Sequence, residues 1–174
     1  SSRVTLSQLM LPSHSNFSGK IHGGYLLSLM DQIAFACGSK FSGKYCVTAS
    51  VDRVDFLNPI EVGELVTLNA SVNYVGKSSM VVGIRVEAQN IQTGKVKHCN
   101  SSYFTMIAKD AEGNNARVPR LILTSKEEVL RFVKTTQRLK LRHSYAELCA
   151  DFDGDMQQAI AQITANYQVQ VQLA

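Results

Sequence analysis

The sequence predicts an α+β chain: a curved antiparallel sheet wrapped around one long central helix, with C-terminal helices after it. Three observations carry that prediction. Tyr25 to Cys37 is an apolar run of about thirteen residues, too short for a bilayer and long enough for a buried helix. Leu65–Tyr74, Met80–Gln89 and Val96–Ala108 read as long strands joined by short turns, the first two alternating apolar and polar residues. Thr124-Ser125-Lys126-Glu127-Glu128 offers two overlapping capping boxes, Thr124 with Glu127 and Ser125 with Glu128, and so starts a later helix.

From the N-terminus, Val4 to Leu11 mixes apolar and polar residues until Pro12 stops it, which suits an edge strand or a short helix leading into a loop at Asn16. Gly23-Gly24 then opens the central helix. Ser28, Asp31 and Gln32 interrupt its apolar surface at i, i+3, i+4, and the same face reaches Gly24 one turn back. Such a helix leaves almost no solvated face, so other structure is expected to wrap it. Asp31 in that setting reads as a carboxylate satisfied by neighbouring donors or as a reactive acid. The glycine pair, entered without a capping side chain and preceded by His22, shifts the balance. Glycines let a ligand approach the backbone, and free N–H groups at the positive end of a helix dipole make an oxyanion site.

Gly38 to Gly43 is a turn cluster, after which Cys46 to Phe56 reads as a strand with Val47, Ala49 and Val51 on one face and Thr48, Ser50 and Asp52 on the other. Asn58-Pro59 breaks it. The strands from Leu65 and from Met80 form a long hairpin through Val75–Ser79, with Val66, Leu68, Ala70, Val72 and Tyr74 sharing one side of the first. Thr93–Lys95 turns into the last long strand, and Lys109–Pro119 leaves the sheet as a loop. The helix from Thr124 is expected to run to about Arg142. Asp151-Phe152-Asp153-Gly154-Asp155 lacks the remaining ligands and terminal Glu of a calcium loop and reads as a helix-start turn, with a short helix beyond Met156. An open sheet edge in this arrangement favours a symmetric homo-oligomer that continues the sheet.

The chain has 174 residues, 45% of them hydrophobic, with three Pro, enough for one well-cored domain. Its net charge of +4 is mild, and the basic excess sits in Arg131, Lys134, Arg138, Lys140 and Arg142 on one late helix, which argues against a nucleic-acid footprint. Cys37, Cys46, Cys99 and Cys149 are scattered with no CxxC, as expected of free thiols in a reducing cytoplasm. No signal peptide or membrane-spanning run is read, so no membrane insertion is expected. His14, His98 and His143 have no metal or triad spacing, and no Gly-x-Ser-x-Gly elbow is present.

Three strings then carry a family resemblance: Asn16 to Gly24 continuing through Leu29-Met30-Asp31-Gln32, Val51 to Ile60, and Val75-Gly76-Lys77-Ser78-Ser79-Met80. Together they resemble the hot-dog-fold acyl-CoA thioesterases, in the cytosolic acyl-CoA hydrolase branch that includes the bacterial YciA-type enzymes and the animal brain acyl-CoA hydrolase. The likeness covers about Leu6 to Arg142, which sets the expected domains at 1–142, the thioesterase domain, and 143–174, a helical extension. It implies hydrolysis of acyl-CoA to fatty acid and CoA at sites shared between two protomers, with dimers gathered into a hexamer, a trimer of hot-dog dimers. By motif position Asn16 matches the family's catalytic Asn and Asp31 its catalytic acid, one from each protomer.

The residue types suit that chemistry without a metal or cofactor, CoA being part of substrate and product. Asp31 would deprotonate a water or attack the carbonyl itself, and Asn16 would hold water or substrate. The Gly24 N–H, with or without that of Gly23, would meet the oxyanion. His22 is expected to order the loop through ring hydrogen bonds beside the substrate. The Gly76-Lys77-Ser78-Ser79 turn is the expected contact for the CoA nucleotide, with Arg53 and Arg138 as weaker ones. Two other classes are a non-catalytic acyl-CoA-binding regulatory module on the same fold, which would lack the Asn and Asp pair, and an enoyl-CoA hydratase, which would carry a His shortly after the Asp.

Overall fold

The computed structural model describes residues 2–149 and 154–172; Asp151, Phe152 and Asp153 of the calcium-like string lie outside them. The chain divides into two compact units, Ser1–Thr136 and Gln137–Ala174.

The first unit opens with β1 (Arg3–Leu9), a 3-10 turn at Pro12–His14 and α1 (Gly23–Ser42). β2 (Tyr45–Val51), β3 (Leu65–Val75), β4 (Ser79–Gln89) and β5 (Val96–Lys109) follow. They pair antiparallel throughout in the order β1-β3-β4-β5-β2, a sheet of five strands rather than about four, because Val4–Leu11 resolves as the edge strand β1. The three long strands β3, β4 and β5 form the expected meander, and the two short ones are its edges. α1 lies against the sheet: Leu26, Leu29, Met30, Ile33, Ala34 and Cys37 join the core with Val66, Leu68, Val82, Val86, Phe104 and Met106. Each Val, Leu, Ile, Phe or Met among them taken fully from water stabilises the fold by about 1.5–3 kcal/mol before entropy is counted.

α1 departs from expectation twice. It runs to Ser42, one and a half turns past the apolar run, and stops where Gly43 takes the left-handed conformation (φ 66°) and returns its N–H to Ser39 O at 2.9 Å. It is also not wrapped all round. Gly24, Ser28, Asp31, Gln32, Phe35 and Ala36 stay exposed along one side of the helix, because the sheet of a single chain covers only the other side.

Two bulges overturn the face assignments that strict alternation predicts. On β2 the pairing steps from Thr48↔Met106 to Ser50↔Thr105, so Ala49 is an extra residue. Val51 then pairs with the core residue Phe104, and Thr48 and Val51 share the face turned to α1 although their odd spacing would separate them. On β3 the step from Val72↔Val82 to Tyr74↔Val81 makes Asn73 the extra residue. Tyr74 therefore leaves the face of Val72 and packs against Phe132 in a tilted arrangement, ring centroids 5.3 Å apart and planes at 40°. The strand expected to reach Phe56 ends at Val51; beyond it the chain is pinned along β5 by Asp52 N to Tyr103 O (2.9 Å), Asn100 Nδ2 to Asp55 O (2.7 Å) and Leu57 N to Cys99 O (2.9 Å).

α2 (Lys126–Leu148) outlasts its expected end at Arg142. Neither capping box closes in full: Ser125 Oγ accepts Glu128 N–H at 3.2 Å, but the Glu128 carboxylate reaches one residue further back, to Thr124 N and Oγ1 at 2.7 and 3.0 Å, and not to the Ser125 N–H. Glu127 instead pairs with Arg131 one turn on. In the second unit α3 (Met156–Asn166) starts at Asp155, whose carboxylate accepts Gln157 N–H at 2.8 Å.

Candidate active site

The entrance of α1 is built from His14 to Gly24. Asn16 N–H donates to Lys20 O at 2.7 Å and Gly19, at φ 78°, closes the loop onto Asn16 O at 3.0 Å. The Asn16 Oδ1 atom collects three donors, Ser18 N (3.0 Å), Ser18 Oγ (2.7 Å) and Lys20 N (3.1 Å). Three donors converging identify that atom as the oxygen, so the side chain's acceptor is spent on its own loop and the Nδ2 amide is what it offers a ligand. Beside it, Phe17 is fully exposed. Lys20 pairs with Glu61, which holds that carboxyl below its usual range.

The glycine entrance is not uncapped, as the sequence suggested. His22 is the N-cap and its Nδ1 accepts the Gly24 N–H at 3.0 Å. A Cβ on Gly24 would lie 2.9 Å from His22 Cε1, and one on Gly23 would lie 3.2 Å from Phe56 Cζ. On each glycine, then, a ring of the same chain occupies the space a Cβ would take and would have to shift to admit one.

Two turns into α1, Asp31 is exposed and accepts the Thr48 hydroxyl at 2.6 Å, within the range of a charge-assisted O–H···O⁻ bond. Thr48 was missed in the sequence because alternation put it with the outward polar residues of its strand; a hydroxyl preceding an irregular strand step was the only signal. Asp31 borders two clefts on the open side of α1, each of about 530 Å³. One is lined by Gly24, Leu27, Ser28, Asp31, Val51, Asp52, Val54 and Phe104, and the other by Asp31, Gln32, Phe35, Tyr45, Cys46, Val47 and Thr48. The first is a largely apolar trough with two carboxylates and the helix entrance on its rim.

Of the expected site residues, Gly24 and Asp31 meet in that trough. Asn16, Arg53 and the Gly76–Ser79 turn line neither cleft of their own chain. Arg53 is exposed and paired with Asp55 at 2.9 Å. In the turn, Gly76 N–H donates to Ser79 O at 2.8 Å, the Lys77 carbonyl accepts Val118 N–H at 3.1 Å, and the exposed Lys77 side chain is at the tip. Among the described residues no group of three or more His, Cys, Asp and Glu could hold a metal ion.

Residues 18–95 match the family model described as the thioesterase superfamily. The chain is 33% identical over 150 residues to YkhA of Bacillus subtilis, named an uncharacterized acyl-CoA thioester hydrolase, covering 83% of this chain and 87% of the relative. Among solved structures it is similar to an apo hexameric acyl-CoA thioesterase, with TM-score 0.81 and 34% identity over 83% of this chain and 93% of the other. It is also similar to an acyl-CoA hydrolase of Staphylococcus aureus in complex with butyryl coenzyme A, coenzyme A and coenzyme A disulfide, with TM-score 0.78 and 29% identity over 94% and 95% of the two chains.

Proposed function

The chain belongs to the thioesterase superfamily, among its hot-dog acyl-CoA hydrolases, and from that membership we propose that Asp31 activates the water that cleaves its thioester substrate. The protein is an acyl-CoA thioesterase, and the products are a free fatty acid and CoA. The observation that carries the role of Asp31 is its position: an exposed carboxylate, steered by Thr48, on the rim of the apolar trough that ends at Gly24.

In this mechanism the acyl chain lies in the trough and the thioester carbon faces Asp31. The carboxylate takes a proton from water as the water oxygen bonds to the carbonyl carbon. The carbonyl oxygen becomes an oxyanion met by the diglycine amides at the helix entrance. Collapse breaks the C–S bond, and the CoA thiolate leaves with the proton that Asp31 had held. No cofactor takes part, so dialysis against EDTA leaves turnover unchanged.

Asn16 acts on a second copy of the chain. Its loop lines neither cleft of its own chain, while the exposed side of α1 and the edge strand β2 lie open for a neighbour. Dimers formed there gather into hexamers, a reading supported by the hexameric assembly of a similar thioesterase. The CoA nucleotide is held at the Gly76–Ser79 turn by Lys77, with Arg53 as a weaker contact, and His22 and Gly23 lie nearer the thioester. A cytoplasmic location is supported by Cys37, Cys46, Cys99 and Cys149, all free thiols. No described helix is long and apolar enough to cross a membrane.

Thiol release from acyl-CoAs of graded chain length tests the reading. Asp31→Asn folds, assembles and loses on the order of 10²- to 10⁴-fold in rate. A variant that kept more than about a tenth of wild-type turnover would remove the base from Asp31. Binding without thiol release by the unmodified protein would make it a sensor instead.

A further inference from the structure

His22 is fixed at its backbone and loose at its ring. Its N–H donates to His14 O at 2.9 Å, and its carbonyl accepts from Tyr25 N at 3.0 Å and Leu26 N at 3.3 Å. The exposed imidazole makes one hydrogen bond, from the Gly24 N–H to Nδ1 at 3.0 Å, so rotation about its Cα–Cβ bond alone releases it. That N–H is one of the two the proposed mechanism aims at the oxyanion. One amide proton serves one acceptor well. The ring therefore sits where the substrate's carbonyl oxygen has to go.

The choice of residue is informative. Asn, Asp, Ser and Thr are the strong N-caps, and a histidine in that place holds the amide with a bulky acceptor on an exposed ring. The contact also depends on Gly24, since a Cβ there would stand 2.9 Å from the ring. Phe56 flanks the same entrance, its ring 3.2 Å from where a Cβ on Gly23 would stand.

We propose that His22 Nδ1 is a resting-state stand-in for the thioester carbonyl at the Gly24 amide, and that substrate binding exchanges one acceptor for the other. The inference rests on the acyl-CoA hydrolase reading. His22 is then a positioning residue: it keeps the entrance of α1 ordered and its donor satisfied when no substrate is present, and yields on binding. Its cost falls on substrate capture and not on the chemical step.

Thiol-release kinetics on two variants test it, with nitrogen NMR of the ring as a readout independent of turnover. His22→Ala removes the competitor and raises kcat/KM about two- to tenfold, the worth of one net hydrogen bond, through a lower KM. His22→Asn substitutes a stronger cap that is harder to displace and lowers kcat/KM by a similar factor. In the Asp31→Asn protein, the His22 Nδ1 resonance shifts as butyryl-CoA saturates the site. Both variants within twofold of wild type, a hundredfold loss in His22→Ala, or an Nδ1 resonance that ignores bound butyryl-CoA would each overturn the exchange. Absence of thiol release from the unmodified enzyme overturns the hydrolase reading itself, and the exchange with it.

Discussion

Thr48 Oγ1 donates a 2.6 Å hydrogen bond to Asp31 Oδ1 and so ties the edge strand β2 to the middle of α1. The same hydroxyl rests 3.5 Å from Met106 Sδ, which leaves the carboxylate as its one strong acceptor. A hydroxyl on one oxygen selects a carboxylate rotamer and leaves the other oxygen for water.

Thr48→Val keeps the shape and deletes that donor. If the bond positions the carboxylate in the transition state with a worth of about 1.5–3 kcal/mol, kcat is expected to fall on the order of ten- to a hundredfold with KM near wild type, and any part of that worth held by the resting fold lowers Tm instead. Thr48→Ser is expected to restore most of the rate. Steady-state thiol release decides it, and a valine variant with more than half the wild-type kcat would detach Thr48 from catalysis.

The pair also marks the limit of what the residues alone revealed. The apolar run after Gly24 announced α1, and the alternation in β3 and β4 announced the hairpin, because each follows a fixed period over many residues. Asp31 was legible as the one carboxylate in that run. Thr48 was not, since a period-two reading assumes an unbroken ladder and Ala49 interrupts it. The open side of α1 was illegible for a different reason: apolar character shows that a surface is covered, and not whether its own chain covers it. Likewise the diglycine signalled close approach, but only coordinates show rings of His22 and Phe56 as what approaches.

Lys77 stands at the exposed tip between β3 and β4 while its backbone carbonyl anchors Val118. If its ammonium meets a CoA phosphate, Lys77→Ala raises KM several-fold and leaves kcat nearly unchanged, the signature of lost uniform binding. The measurement is a saturation curve for one acyl-CoA in both proteins, and an unaltered KM would place the phosphates elsewhere.

Glu128 links three parts of the first unit by accepting from Thr124 N, Thr124 Oγ1 and Arg3 Nη2, the last at 2.7 Å. The backbone N–H of Thr124, then Arg3, lower its carboxyl from the ordinary 4.5 to about 2. A depressed folded-state value means these contacts favour folding fully above the ordinary value and progressively less as pH falls from about 4.5 toward 2. Acid unfolding followed by circular dichroism is expected to shift to higher pH in Glu128→Gln. A variant with an unchanged acid midpoint would show that the contacts do not anchor the start of α2.

Cys37, Cys46 and Cys99 are buried and Cys149 is exposed. Burial pushes the Cys37 thiol up to about 11 and raises that of Cys99, so neither is a thiolate at neutral pH. Ellman's reagent is expected to modify one of the four thiols quickly in the folded protein and all four in guanidinium. More than one fast thiol in the folded state would contradict the packing around α1.

β2 closes one margin of the sheet with seven residues, and its backbone there has neighbours on a single side. If acid and carboxamide reach one thioester from separate copies, as proposed above, a lone chain cannot work. Turnover per chain would then climb with total enzyme until association is complete, and dilution alone would act as an off-switch that needs no inhibitor.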